Sequence, residues 1–95
     1  MNIYRIWQEV NNDYDTYDSA VVVAKNEEDA RNMAPDGDLW IEGNGWCHMK
    51  NGELLPNNTK WGDWCDPKDV QVELMGTTVL EDYPRGVILS SYNAG

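Results

Sequence analysis

Between Asp18-Ser19 and Lys25-Asn26 the chain runs Ala20-Val21-Val22-Val23-Ala24. Three consecutive β-branched side chains lose rotamer freedom in a helix but pack well on a pleated surface. An apolar run this short, bounded by polar residues, is strand-sized rather than helix-sized. It predicts a buried central strand, and such a strand obliges the rest of the chain to cover it. At 95 residues the chain can close one hydrophobic core and has no room for a second. Residues 1–95 therefore read as a single domain. Phe is absent, so Trp, Tyr, Val, Leu and Ile must fill that core.

Residues 3–10 supply an obvious partner strand, with Tyr4, Ile6 and Val10 on one face and Ile3 and Trp7 on the other. Antiparallel pairing with 20–24 follows from the polar stretch between them. Asn26 then caps a helix whose first turn carries Glu27, Glu28 and Asp29, where the positive end of the helix dipole favours carboxylates. Ala30, Met33 and Ala34 form its apolar stripe and Pro35 ends it, giving about two turns. Too short to hold alone, this helix must lie against the sheet.

From Pro35 to Pro67 the composition shifts to Gly, Asn, Asp, Pro and Trp. Gly43-Asn44-Gly45 and Asn51-Gly52 separate the extended segments 39–41, 46–49 and 54–55, and Asn-Gly favours a tight hairpin turn because both residues accept positive φ. A small β-meander is expected, with residues 38–63 as a Trp-rich insert. Asp69 to Leu74 alternates polar and apolar residues, the pattern of a half-buried strand, and Val87 to Tyr92 forms a last strand. The expected architecture is α+β: a mostly antiparallel sheet of four to six strands with one short helix on a face and the insert beside it.

Seventeen acidic against seven basic side chains give a formal charge of −10. A domain of this size stays soluble with a net charge of about 2–8 in magnitude, so the surplus asks for a cationic partner or for no role at all. Such a chain repels nucleic-acid phosphates and anionic lipid, which excludes direct binding to nucleic acid or membrane as an expectation. A basic protein surface is attracted instead. No apolar run reaches the ~20 residues of a membrane-spanning helix, and residues 1–5 lack the start of a signal peptide. These features predict a cytoplasmic protein.

Asp13, Tyr14, Asp15, Tyr17 and Asp18 gather three carboxylates and two phenols within six residues, on the expected connection between the first two strands. Carboxylates engage Arg and Lys, and Tyr adds contact area at low entropic cost; the same residues also suit a plain polar turn. A calcium loop is excluded, because no Gly stands at its sixth position and Ala24 occupies its twelfth. Cys47, His48, Cys65 and Asp66 are the metal-capable set, with zinc as the fitting ion. Neighbouring strand residues point to opposite faces, however, so Cys47 and His48 chelate one ion only where the backbone bends. The other reading is a pair of buried thiols beside tryptophans and an exposed His48. Trp40, Trp46, Trp61 and Trp64 can form a secondary mini-core for the insert or leave an indole outside as an anchor. No nucleophile motif or phosphate loop occurs, so no enzyme activity is expected.

Tyr4-Arg5-Ile6-Trp7, the segment Asp13 to Ser19, the helix Asn26 to Met33 and the closing Gly86-Val87-Ile88-Leu89-Ser90-Ser91-Tyr92-Asn93-Ala94-Gly95 resemble a group of small proteins encoded by bacteriophages and prophages. The resemblance covers both ends of the chain and Trp64 to Leu74; residues 38–63 look like an insertion relative to shorter members. It implies a phage-derived origin and hence the cytoplasm of an infected bacterium, and it brings no activity with it. Small acidic phage proteins commonly inhibit host nucleic-acid-acting machinery, anti-CRISPR proteins among them. That analogy of class and size, together with the charge of −10, points to a basic host partner, such as a CRISPR effector or another defence nuclease. The alternative is a zinc-stabilised or purely structural accessory domain of phage origin.

Overall fold

The computed structural model describes residues 1–11, 16–57, 63–78 and 84–93. Four strands make the larger sheet: β1 (Asn2–Trp7), β2 (Thr16–Ala24), β6 (Gln71–Thr77) and β7 (Gly86–Asn93), in the order β6-β1-β2-β7 with every pairing antiparallel. The Val run lies in β2, the second of the two central strands, and pairs Tyr4 with Val22 and Ile6 with Ala20. Those four side chains share one face and are all buried. Val10 does not join them. β1 stops at Trp7, and Val10 is 62% exposed in the turn beyond.

Helix α1 (Glu27–Arg31) lies on the buried face of this sheet, with Ala30 in the core cluster. It is shorter than the two turns expected, because Asn32 closes it with backbone bonds to Ala30 and Glu28. The cap is as the sequence implies: Asn26 Oδ1 accepts from the Asp29 N–H at 2.8 Å, while Asp29 Oδ2 accepts from the Lys25 N–H at 3.0 Å. Five residues cannot sustain a helix by backbone bonds alone. Two arginines tie it down on opposite sides. Arg31 Nη1 donates to the Val70 carbonyl at 2.6 Å, just ahead of β6, and Arg85, just ahead of β7, grips the Asp29 carboxylate with two bonds of 2.6 and 2.7 Å.

The insert forms a separate antiparallel sheet of β3 (Leu39–Ile41), β4 (Gly45–Lys50) and β5 (Glu53–Pro56). Asn51 and Gly52 both take positive φ, 52° and 82°, the backbone that a two-residue hairpin turn requires. Among the described residues the larger sheet has four strands, within the four to six expected, the insert forms the expected meander, and the class, mostly antiparallel with one short helix, holds. A 3-10 turn at Pro67–Asp69 occupies what alternation had assigned to the start of β6; Pro67 pre-sets the φ of its first residue.

One apolar cluster serves both sheets. Tyr4, Ile6, Ala20 and Val22 of the larger sheet meet Ala30, Met33 and Ala34, and join Trp46, Trp64, Cys65 and Val70. Trp46 and Trp64, with Trp40 packed against them, therefore build part of the main core and not a secondary one. Trp64 is 1% exposed, and Trp40 stands edge-on to Trp46 with ring centroids 5.4 Å apart. Burying side chains of this size contributes about 1.5–3 kcal/mol each, so the insert is a structural participant. Trp61 lies outside the described residues.

Candidate functional site: the acidic end of the sheet

Residues 6–24 contain Glu9, Asp13, Asp15 and Asp18 and no Lys or Arg. This stretch turns at the end of the larger sheet where β1 finishes and β2 begins. Asp18 and Glu9 are exposed there, and Tyr17 packs partly against the core cluster. Asp13, Tyr14 and Asp15 lie outside the described residues.

The root of this connection is held by a side chain that sequence reading passed over. Gln8 is buried, and its amide uses both ends. Nε2 donates to the Asn11 carbonyl at 2.5 Å and to the Tyr17 carbonyl at 3.1 Å; Oε1 accepts the N–H groups of Val10 and Asn11 at 2.9 and 2.7 Å. Four bonds to main-chain groups satisfy the whole amide and fix the path of residues 8–11 and 17. A second tether comes from the other side. Asn11 Nδ2 donates to the Trp64 carbonyl at 3.2 Å, and the Tyr17 N–H donates to the Asp63 carbonyl at 2.9 Å. Asp63 is thereby brought to the same end as Glu9 and Asp18. Nothing local in the sequence marks Gln8, since its partners assemble only when β1, β2 and residues 63–64 converge.

Two arginines are committed to the helix. Arg31 pairs with Glu27 at 2.7 Å and Arg85 with Asp29, both on the helix, while Arg5 lies over the Trp7 ring at 4.5 Å. Burial opposes ionisation of Asp29, but the Arg85 bonds, the Lys25 N–H and the charges of Arg85 and Lys25 outweigh it and hold this carboxyl below its ordinary value.

The metal-capable residues are not drawn into one site. Cys47 is buried on β4 with Sγ directed to the Gly45 carbonyl at 3.6 Å, and only Cys65 of the two thiols belongs to the main cluster. Both cysteines are unbridged. Among the described residues no three of His, Cys, Asp and Glu stand close enough to share an ion. Burial, reinforced by the Asp69 and Asp66 carboxylates, pushes the Cys65 thiol up to about 12, so at neutral pH it is a protonated, poorly nucleophilic group. His48 is half-buried rather than exposed. Among the described residues no helix is long and apolar enough to cross a membrane.

Comparison with protein-family models, with curated proteins and with solved structures gives no match for this chain.

Proposed function

We propose that this chain is a small phage-type interaction protein that occupies the cationic surface of a nucleic-acid-handling host protein, a CRISPR effector or another defence nuclease, and so inhibits it. The carrying observation is the acidic connection between β1 and β2, free of Lys and Arg over residues 6–24 and fixed at its root by the fully bonded Gln8. Carboxylates held in place form charge-assisted bonds with Arg and Lys at less entropic cost than mobile ones. Glu9, Asp13, Asp15 and Asp18 supply the charge, and Tyr14 and Tyr17 flank it with apolar area. The resemblance to phage proteins supports the choice of a bacterial defence protein as partner.

The test is a titration of a purified CRISPR effector in competition with its nucleic acid. Binding should weaken as salt rises, and joint replacement of Asp13, Asp15 and Asp18 by Asn should weaken it at least about tenfold. Gln8→Leu should weaken it less, by loosening the root while leaving every charge in place. Binding that is indifferent to both the salt and the triple replacement removes the acidic end from the account.

A further inference from the structure

The strand order leaves β7 on one margin of the larger sheet, and no described strand pairs with its outer side. An unpaired edge is a row of free N–H and C=O groups, which proteins ordinarily guard with Lys, Pro, inward charges or very short strands. The opposite margin, β6, carries Glu73 near its centre. β7 is eight residues long, Gly-Val-Ile-Leu-Ser-Ser-Tyr-Asn, with no charged residue and no Pro in a chain that is 25% charged. Its pairing with β2 shifts register twice, at Asp18 of β2 and at Ile88 of β7, so the edge is bulged but carries no charge. Ile88 and Leu89 are 49% and 67% exposed, and Leu89 with Val21, Ser19 and Ser91 borders a shallow groove of about 190 Å³ on the sheet's uncovered face.

We propose that this edge is a self-association surface, on which a second copy lays its own β7 antiparallel about a two-fold axis, joining the two sheets into one of eight strands. Charge selects both the occupant's approach and its direction. Two molecules of −10 repel through most of their surface, and β7 is a stretch where they can meet without setting like charges together. Thr16 pairs with Asn93, so the acidic connection lies at the C-terminal end of β7. Parallel pairing would set two acidic ends side by side. Antiparallel pairing moves them to opposite poles, about 26 Å apart for eight strand residues and well beyond the ~8 Å screening length of physiological salt. It also brings the Gly86 end, where Arg85 is already paired with Asp29, rather than a second acidic end, alongside the second copy's acidic connection. A two-fold antiparallel pairing is self-complementary, so the same strand serves as donor and acceptor on both sides.

Sedimentation equilibrium of the unaltered chain, over roughly a hundredfold range of concentration, should show a species of twice the 10.9 kDa chain mass. That species should become more abundant as salt rises, the reverse of the salt response proposed for the host partner, so the two ideas fail separately. Leu89→Lys and Ile88→Lys should each raise the dissociation constant about tenfold or more, whereas Leu74→Lys, at an equally exposed position on β6, should leave it unchanged. Amide exchange on the unaltered chain gives a readout that needs no variant: protection should grow with concentration within residues 86–93. A single-chain mass at every concentration and salt overturns the proposal. So does a dimer that survives Leu89→Lys, or concentration-dependent protection confined to β6.

Discussion

In the larger sheet the strands run six, nine, seven and eight residues, and its central pair is joined by an unbroken register from Asn2–Ala24 to Trp7–Ser19. The insert's strands run three, six and four residues, and only Trp46 and Cys47 among them are buried apolar side chains. What the smaller sheet lacks in buried area it makes up with particular polar tethers. Trp46 Nε1 donates to the Cys65 carbonyl at 3.0 Å, Asn57 Nδ2 to Asp38 Oδ2 at 2.8 Å, and the Asn57 N–H to the Trp46 carbonyl at 2.7 Å. The contrast is between a region specified by many interchangeable apolar contacts and one specified by a few bonds, each of which matters singly.

The comparison breaks most severely at the shared cluster. Ile6→Ala empties a fully buried site beneath both sheets and should cost about 2–5 kcal/mol, with both regions unfolding in one transition by circular dichroism and Trp fluorescence. Two separate transitions would mean that the cluster does not couple them. A smaller and more selective effect is expected from Trp46→Phe, which keeps the aromatic bulk and removes the donor to the Cys65 carbonyl. It should cost about 1–3 kcal/mol, and amide exchange should rise over 45–50 and 53–56 while β1 and β2 keep their protection.

The smallest effect concerns the Arg85–Asp29 pair, which ties the helix to the residue ahead of β7 and behaves like one of the insert's tethers. Asp29 has a folded pKa below its ordinary 3.8, so its contribution is present in full above that value and is lost as pH falls through the folded one. Asp29→Asn should therefore reduce stability at neutral pH by about 1 kcal/mol or less and flatten the decline in urea midpoint below about pH 4. An unchanged acid slope would show that the helix is held by packing and by Arg31 alone.

The same contrast explains what could be read from the chain itself. β1, β2 and β7 were legible because alternation and β-branching are local, and the turn at Asn51-Gly52 because positive φ is a property of those two residues. The end of β1 was not, since Val10 fits the alternation and is excluded only by Gln8 folding the backbone aside. Asp18 stands out in the sequence as one of a run of carboxylates and Glu9 does not, and the root beside them depends on Asn11, Tyr17 and Trp64 meeting across 53 residues of sequence. The zinc set differs in the opposite way: its residue types suit the metal, yet among the described residues no three stand close enough to share an ion.

The sheet order has a bearing on how the molecule comes into being. β1 is flanked by β2 and β6, so one of its sides finds a partner within the first quarter of the chain, while the other waits for residues 71–77. A ribosome delivering residues one by one exposes an early hairpin long before either margin can be closed, and residues 86–93 join β2 only after β1, β2 and β6 have all been made. Premature arrest anywhere upstream would release a half-built sheet with the Val run of β2 bared, which is the kind of nascent chain that chaperones and proteases intercept.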